Sequence, residues 1–263
     1  MPADAPQILA LDFDGIICDG LLEYFQTSWG TYCQIWKSDN QMPSDSLASS
    51  FYRLRPVIET GWEMPVLVRS LILGIPEEKI IEDWATIAQG IVDSEKLNAA
   101  ESGKKLDAFR DNWIKTDLDS WLALHRFYPG VIERLGKILS DQSIQLFIVT
   151  TKEGRFVKQL LQQQGITLPE ERIIGKECKR PKYQTLRILL EAHNCEAVGL
   201  WFVEDRLKTL QLVQQQPDLK DTKLFLGDWG YNTKAHHETV LNDGSIGLLS
   251  LDQFSQDFSA WSV

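Results

Sequence analysis

Two aspartates, Asp12 and Asp14, follow the apolar run Ile8-Leu9-Ala10-Leu11 and are succeeded at once by Gly15. Three further apolar runs end on polar groups in the same manner. Leu146-Phe147-Ile148-Val149 leads into Thr150-Thr151-Lys152, Val198 to Val203 into Glu204-Asp205, and Leu224-Phe225-Leu226 into Gly227-Asp228-Trp229-Gly230. A basic run, Lys179-Arg180-Pro181-Lys182, lies between the second and third. Carboxylates gathered in a cleft of low dielectric repel one another unless a cation sits among them. A ligand set of oxygens, several of them carboxylates, favours Mg²⁺.

Those groups come together only if the apolar runs are parallel strands. Each run is short, and helical patterns separate most of them, which is the signature of βα units. Val131 to Leu139 puts Val131, Leu135, Ile138 and Leu139 on one face behind the turn Pro129-Gly130. Gly154 to Gln164 repeats the pattern with Phe156, Val157, Leu160 and Leu161, and Tyr183 to His193 does so with Leu186, Leu189 and Leu190. This predicts an α/β fold, a parallel sheet covered by helices on both faces. Ligands of such sheets bind at the carboxyl ends of the strands, where the polar groups fall.

Between Asp19 and Phe127 the alternation stops. Helix-like patterns cover Leu21 to Trp36, Pro65 to Leu73, Glu77 to Val92 and Leu106 to Trp121, with turns expected at Gly61, at Gly74-Ile75-Pro76 and through the polar run Asn98 to Lys105. The expected organisation is a core of residues 1–18 and 127–263 with a helical domain, 19–126, inserted after the first strand. Trp84 and Trp113 are expected to pack within its helices.

Composition narrows the classes of function. The chain has 263 residues, 43% of them hydrophobic, and nine are Trp, so it can bury a substantial core. A net charge of −10 argues against a nucleic-acid partner, which would call for clustered Lys and Arg. An acidic chain that handles an anionic ester needs local positive charge, and a divalent cation is one source. No apolar run reaches the roughly 20 residues that cross a bilayer, and no basic leader precedes the first one. A cytoplasmic protein without a membrane partner is expected. Cys18, Cys33, Cys178 and Cys195 have no CxxC spacing and read as reduced thiols. His125, His193, His236 and His237 read as structural or surface residues.

The order of these motifs resembles that of the haloacid dehalogenase-like phosphatases. Ile8 to Gly15 resembles the family's first motif, Thr150 the second, Lys182 the third, and Glu204-Asp205 an acidic-pair form of the fourth. Phe127-Tyr128-Pro129-Gly130 and Trp229-Gly230-Tyr231 are similar to segments of members with a helical cap. The resemblance implies a Rossmann-like core and a magnesium-dependent phosphatase that acts on a small phosphorylated metabolite. By the same resemblance Asp12 is the nucleophile and forms an aspartyl-phosphate, and Asp14 is the general acid and base. Thr150 hydrogen-bonds a phosphoryl oxygen. Lys182, or Lys179 in its place, stabilises the phosphoryl charge. Asp12, Asp205 and the backbone carbonyl of Asp14 hold Mg²⁺, with Glu204 supplying a further carboxylate directly or through water; Asp228 reads as an ordinary turn.

Asp14 disfavours dehalogenation and phosphonate cleavage, because family members with those activities lack an acid there. A phosphomutase keeps both acids and stands as an alternative. So does a binding or regulatory protein with weak turnover, suggested by Ile16-Ile17, the crowded lysines, and Thr209 where many relatives carry an acid. In the cap, Arg53, Arg55 and Thr60-Gly61-Trp62-Glu63 are candidates for reading the leaving group.

Overall fold

The computed structural model describes residues 5–38 and 42–261. By its internal packing the chain forms two compact units, one of residues 1–19 and 127–263 and one of residues 20–126. The first contains β1 (Ile8–Leu11) and β2 (Cys18–Asp19), with β3 (Arg126–Phe127) at the return of the chain. It continues through α/β alternation: β4 (Gln145–Val149), β5 (Ile173–Ile174), β6 (Leu200–Glu204), β7 (Lys223–Gly227) and β8 (Gly247–Leu249).

Six strands form one sheet in the order β5-β4-β1-β6-β7-β8, and every pairing is parallel. β1 lies between β4 and β6, with Leu11 level with Ile148 on one side and Val203 on the other. A parallel strand at the centre of a sheet is covered on both faces, so it reads as an unbroken apolar run. All four residues of β1 are essentially inaccessible. Ile8 and Ala10 pack with Phe147, Leu186, Phe202 and Leu210 on one face. On the other face Trp201 lies 5.4 Å from Phe225 and 5.9 Å from Trp261, ring centre to ring centre. Side chains that alternate between faces along each strand build both halves of the core.

The second unit is helical: Leu21–Trp36, Asp45–Leu54, Glu63–Ile72, Glu77–Ser94, Ala99–Thr116 and Leu118–Leu122. A buried ionic group anchors it. Glu23 accepts hydrogen bonds from Arg110 Nε at 2.7 Å, Thr27 Oγ1 at 2.7 Å and Trp121 Nε1 at 3.1 Å.

Several expectations need correction. Val198 and Gly199 belong to a 3-10 turn, so β6 begins at Leu200. Asn98 to Lys105 is no turn: Asn98 caps the helix Ala99–Thr116, its side chain accepting from Glu101 N at 3.0 Å. That helix ends at Thr116, and a short helix from Leu118 replaces the rest of the long one expected to reach Trp121. The helix Asp45–Leu54 and strands β5 and β8 went unseen. Trp84 is buried as expected, but Trp113 is only half-buried, its Nε1 bonded to Ser120 Oγ at 2.7 Å. Among the described residues all four cysteines are free, and no helix is long and apolar enough to cross a membrane.

Candidate active site

Because the strands are parallel, their carboxyl ends lie on one edge, and the groups that follow them meet there. Asp12 continues from β1, its N–H donating to Val203 O at 2.9 Å, and its carboxylate accepts from Phe13 N at 2.7 Å. Glu204 ends β6 and Asp205 follows it. Asp12, Glu204 and Asp205 each turn a carboxylate oxygen to a common point, all within 4.8 Å of one another, and all three are buried. Two unit charges at that separation repel by about 3 kcal/mol at an effective dielectric near 20.

Lys182, the first residue of the helix Lys182–His193, supplies part of the compensation. Its Nζ lies 2.9 Å from Asp12 Oδ2 and 2.6 Å from Glu204 Oε2. One ammonium does not balance three buried acids. Burial, then the charge of Glu204, pushes Asp12 up to about 7 in spite of Lys182. Burial likewise pushes Glu204 up to about 7, with Lys182 opposing and Asp205 adding to the shift. The lysine is itself penalised by burial, but the two carboxylates outweigh that and hold it above its ordinary range. An all-oxygen set left with surplus negative charge is what a hard divalent cation fits.

Asp205 is held from behind. Tyr231 N donates to its Oδ2 at 2.9 Å, and Asn232 Nδ2 donates to its backbone oxygen at 3.0 Å. Two glycines make room for it. Gly15 has φ +87°, and a Cβ there would stand 2.4 Å from Asp205 Oδ2; at Gly230 it would stand 2.3 Å from Asp205 Cβ. Neither position admits a side chain, and Gly15 also needs a backbone conformation that glycine alone adopts cheaply.

Thr150, buried at the end of β4, accepts from Lys152 N at 3.2 Å, which leaves its hydroxyl proton available to another acceptor. Asp14 is half-buried, and its carboxylate is directed to Lys152, not to the cluster: Lys152 Nζ is 3.2 Å from Oδ1 and 3.4 Å from Oδ2. Lys179 is exposed, with φ +49°, and its side chain makes no described ion pair, whereas Lys182 contacts Asp12. Asp228 sits at the end of β7 with its N–H on Leu249 O at 2.9 Å, outside the cluster. Thr209 lies within the helix Leu207–Gln214.

In the helical unit, Arg53 pairs with Glu77 at 2.5 Å on the surface. Arg55 is buried over the ring of Tyr24 at 4.8 Å. Glu63 accepts from Trp84 Nε1, Thr60 Oγ1 and Glu59 N, each at 2.8 Å. Tyr231 and Lys152 stood in segments that the sequence marks without giving them a role, and Asn232 was passed over. A signal for Lys152 was present, a cation two places beyond a strand-terminal hydroxyl.

The haloacid dehalogenase-like hydrolase pattern matches residues 71–215, more than half of the chain. The chain belongs to that family. It is 29% identical over 134 residues to a phosphoglycolate phosphatase of Aliivibrio fischeri (strain ATCC 700601 / ES114), a match that covers 50% of this chain and 55% of that protein. The chain thus spans about half the length of that relative. Among solved structures it is similar to a protein described as a predicted phosphatase from Clostridium acetobutylicum, at 15% identity and TM-score 0.57, over 95% of this chain and 97% of the other. It is also similar to one described as a predicted phosphoglycolate phosphatase from Haemophilus somnus 129pt, at 16% identity and TM-score 0.58, over 89% of each chain. At such identities the likeness is one of fold.

Proposed function

We propose that the protein is a magnesium-dependent phosphatase of small phosphate monoesters that works through an aspartyl-phosphate on Asp12. One observation carries the reading: three buried carboxylates, Asp12, Glu204 and Asp205, share a point at the strand ends with Lys182 against two of them. Asp12, Asp205 and the backbone oxygen of Asp14 would hold Mg²⁺, with Glu204 beside them. When bound, the ion neutralises charge on the phosphoryl oxygens and on the clustered acids.

The chain's own groups do the rest. An Asp12 oxygen bonds to phosphorus as the bond to the leaving oxygen breaks, and Asp14 delivers a proton to that oxygen. Water then attacks phosphorus, its proton passes to Asp14, and the Asp12–phosphorus bond breaks to release inorganic phosphate. Thr150 donates its hydroxyl proton to a phosphoryl oxygen, and Lys182 offsets the charge there. The relative from Aliivibrio fischeri makes 2-phosphoglycolate the first natural ester to test.

Purified protein with Mg²⁺ should release phosphate from 4-nitrophenyl phosphate and from at least one ester in a phosphometabolite panel. Chelation, and separately Asp12→Asn, should abolish this. Turnover that survives Asp12→Asn would refute the mechanism, and isomerisation of a sugar phosphate without phosphate release would point to a mutase.

A further inference from the structure

Lys152 has no part in the four family motifs, yet its ammonium straddles both oxygens of Asp14 at 3.2 and 3.4 Å. The lysine side chain is 9% exposed and that of Asp14 15%, so this is not a surface pair that solvent makes and breaks freely. The ground for the contact is built into the backbone. Lys152 N–H donates to Thr150 Oγ1 at 3.2 Å, and Lys152 O accepts from Lys176 N at 2.9 Å. The segment passes so close to Gly175 that a Cβ there would stand 2.7 Å from Lys152 O and 2.5 Å from Gly154 N. Glu177 closes the turn by accepting from Gly154 N at 3.2 Å on each carboxylate oxygen.

The Asp14 end is equally fixed. Gly15 N donates to Cys18 O at 2.8 Å, and Ile17 N and Cys18 N both donate to Phe13 O at 2.9 Å. Two loops from neighbouring strands are thus each locked by their own hydrogen bonds, and the Lys152–Asp14 ion pair joins them. Holding a lysine in a single geometry costs side-chain entropy, and pre-ordering its backbone lowers that cost.

We infer that Lys152 is a positioning residue for the leaving-group step: it fixes the orientation of the Asp14 carboxyl from which the departing oxygen takes its proton. The inference rests on the phosphatase reading above. Lys152 forms and breaks no bond to the substrate. It keeps Asp14 aimed during the step in which the Asp12 oxygen bonds phosphorus, the ester bond breaks and the proton crosses to the leaving oxygen. A misaimed acid is felt in proportion to how much the leaving group needs the proton. Nitrophenolate departs almost unaided, whereas a methoxyphenolate does not.

The test is a series of substituted phenyl phosphates from 4-nitro to 4-methoxy, with kcat/KM measured for wild type, Lys152→Gln and Lys152→Arg in Mg²⁺. In Lys152→Gln the loss should grow from about threefold or less on the nitro ester to about tenfold or more on the methoxy ester. Lys152→Arg, which keeps a donor within reach, should return the series toward the wild-type slope. Equal losses across the series would overturn the inference, because a structural defect lowers all substrates together. A loss carried wholly by KM would overturn it as well, by assigning Lys152 to substrate binding. Should Lys152→Gln not fold, Lys152→Met supports the same comparison. Wild-type protein that turns over none of the esters would bring down the phosphatase reading, and the inference with it.

Discussion

Gly15 lies against Asp205 with no room between them: a Cβ on residue 15 would stand 2.4 Å from Asp205 Oδ2. The contact ties the loop after β1 to the acid that follows β6. Gly15→Ala should therefore displace Asp205 and force φ +87° on a residue that pays about 1–3 kcal/mol for it. The expected outcome is loss of Mg²⁺ binding by calorimetry together with loss of turnover. A Gly15→Ala protein that binds Mg²⁺ as wild type does would show that Asp205 is not needed for the ion.

Lys182 is the cation between Asp12 and Glu204. In Lys182→Met, Mg²⁺ binding should persist, because the acids remain, while kcat/KM falls by about 10²–10³. Steady-state kinetics beside calorimetry separates the two effects. Activity within about threefold of wild type would remove Lys182 from the reaction.

The raised carboxyls give stability a pH signature. Asp12 and Glu204 have ordinary values of 3.8 and 4.5 and stand at about 7 in the fold. Between about pH 4 and pH 7 the folded chain holds protons that the unfolded chain has released, so this contribution is present at the acid end and lost as pH rises. Tm in chelator should fall from about pH 5 to about pH 8, and added Mg²⁺ should raise Tm more at the upper end. A Mg²⁺ effect that shrinks with rising pH would contradict the buried cluster. Glu77 and Asp218, which their arginine partners hold below their ordinary values, shift in the opposite direction.

Within the helical unit, Arg110→Met should leave Glu23 buried without its cation and cost about 3–5 kcal/mol by urea unfolding. Glu23→Leu combined with Arg110→Met should recover much of the loss, since apolar packing can replace a buried pair of this kind. A double variant less stable than Arg110→Met alone would mean that Thr27 and Trp121 need the carboxylate as an acceptor.

The central strands were legible because burial on both faces makes β1, β4, β6 and β7 continuous apolar runs. β5 has two residues and β8 has three, one of them Gly247, too few to show a period. The first turns of the helix Ala99–Thr116 hid behind polarity. Most of its first turns face solvent, and the useful sign was local, Asn98 followed by Glu101 at the capping distance. At the site, position along the chain marked Asp12, Glu204 and Asp205, which the fold brings together, and Thr150 as a candidate, because each follows or ends a strand. The pairing of Lys152 with Asp14 and the clamp of Tyr231 on Asp205 depend on how loops fold back. Gly175 and Gly230 permit that folding without announcing it.

The position of β1 between β4 and β6 has a consequence for synthesis. The strand that carries Asp12 is made first, yet its two partners are residues 145–149 and 200–204. At about 5–20 residues per second the ribosome needs roughly ten to forty seconds to travel from residue 11 to residue 204. For that interval an apolar strand lacks at least one of its two neighbours, exposed to premature pairing with other chains. Mutations that weaken β6 should therefore show in the yield of soluble protein before they show in the chemistry of what folds.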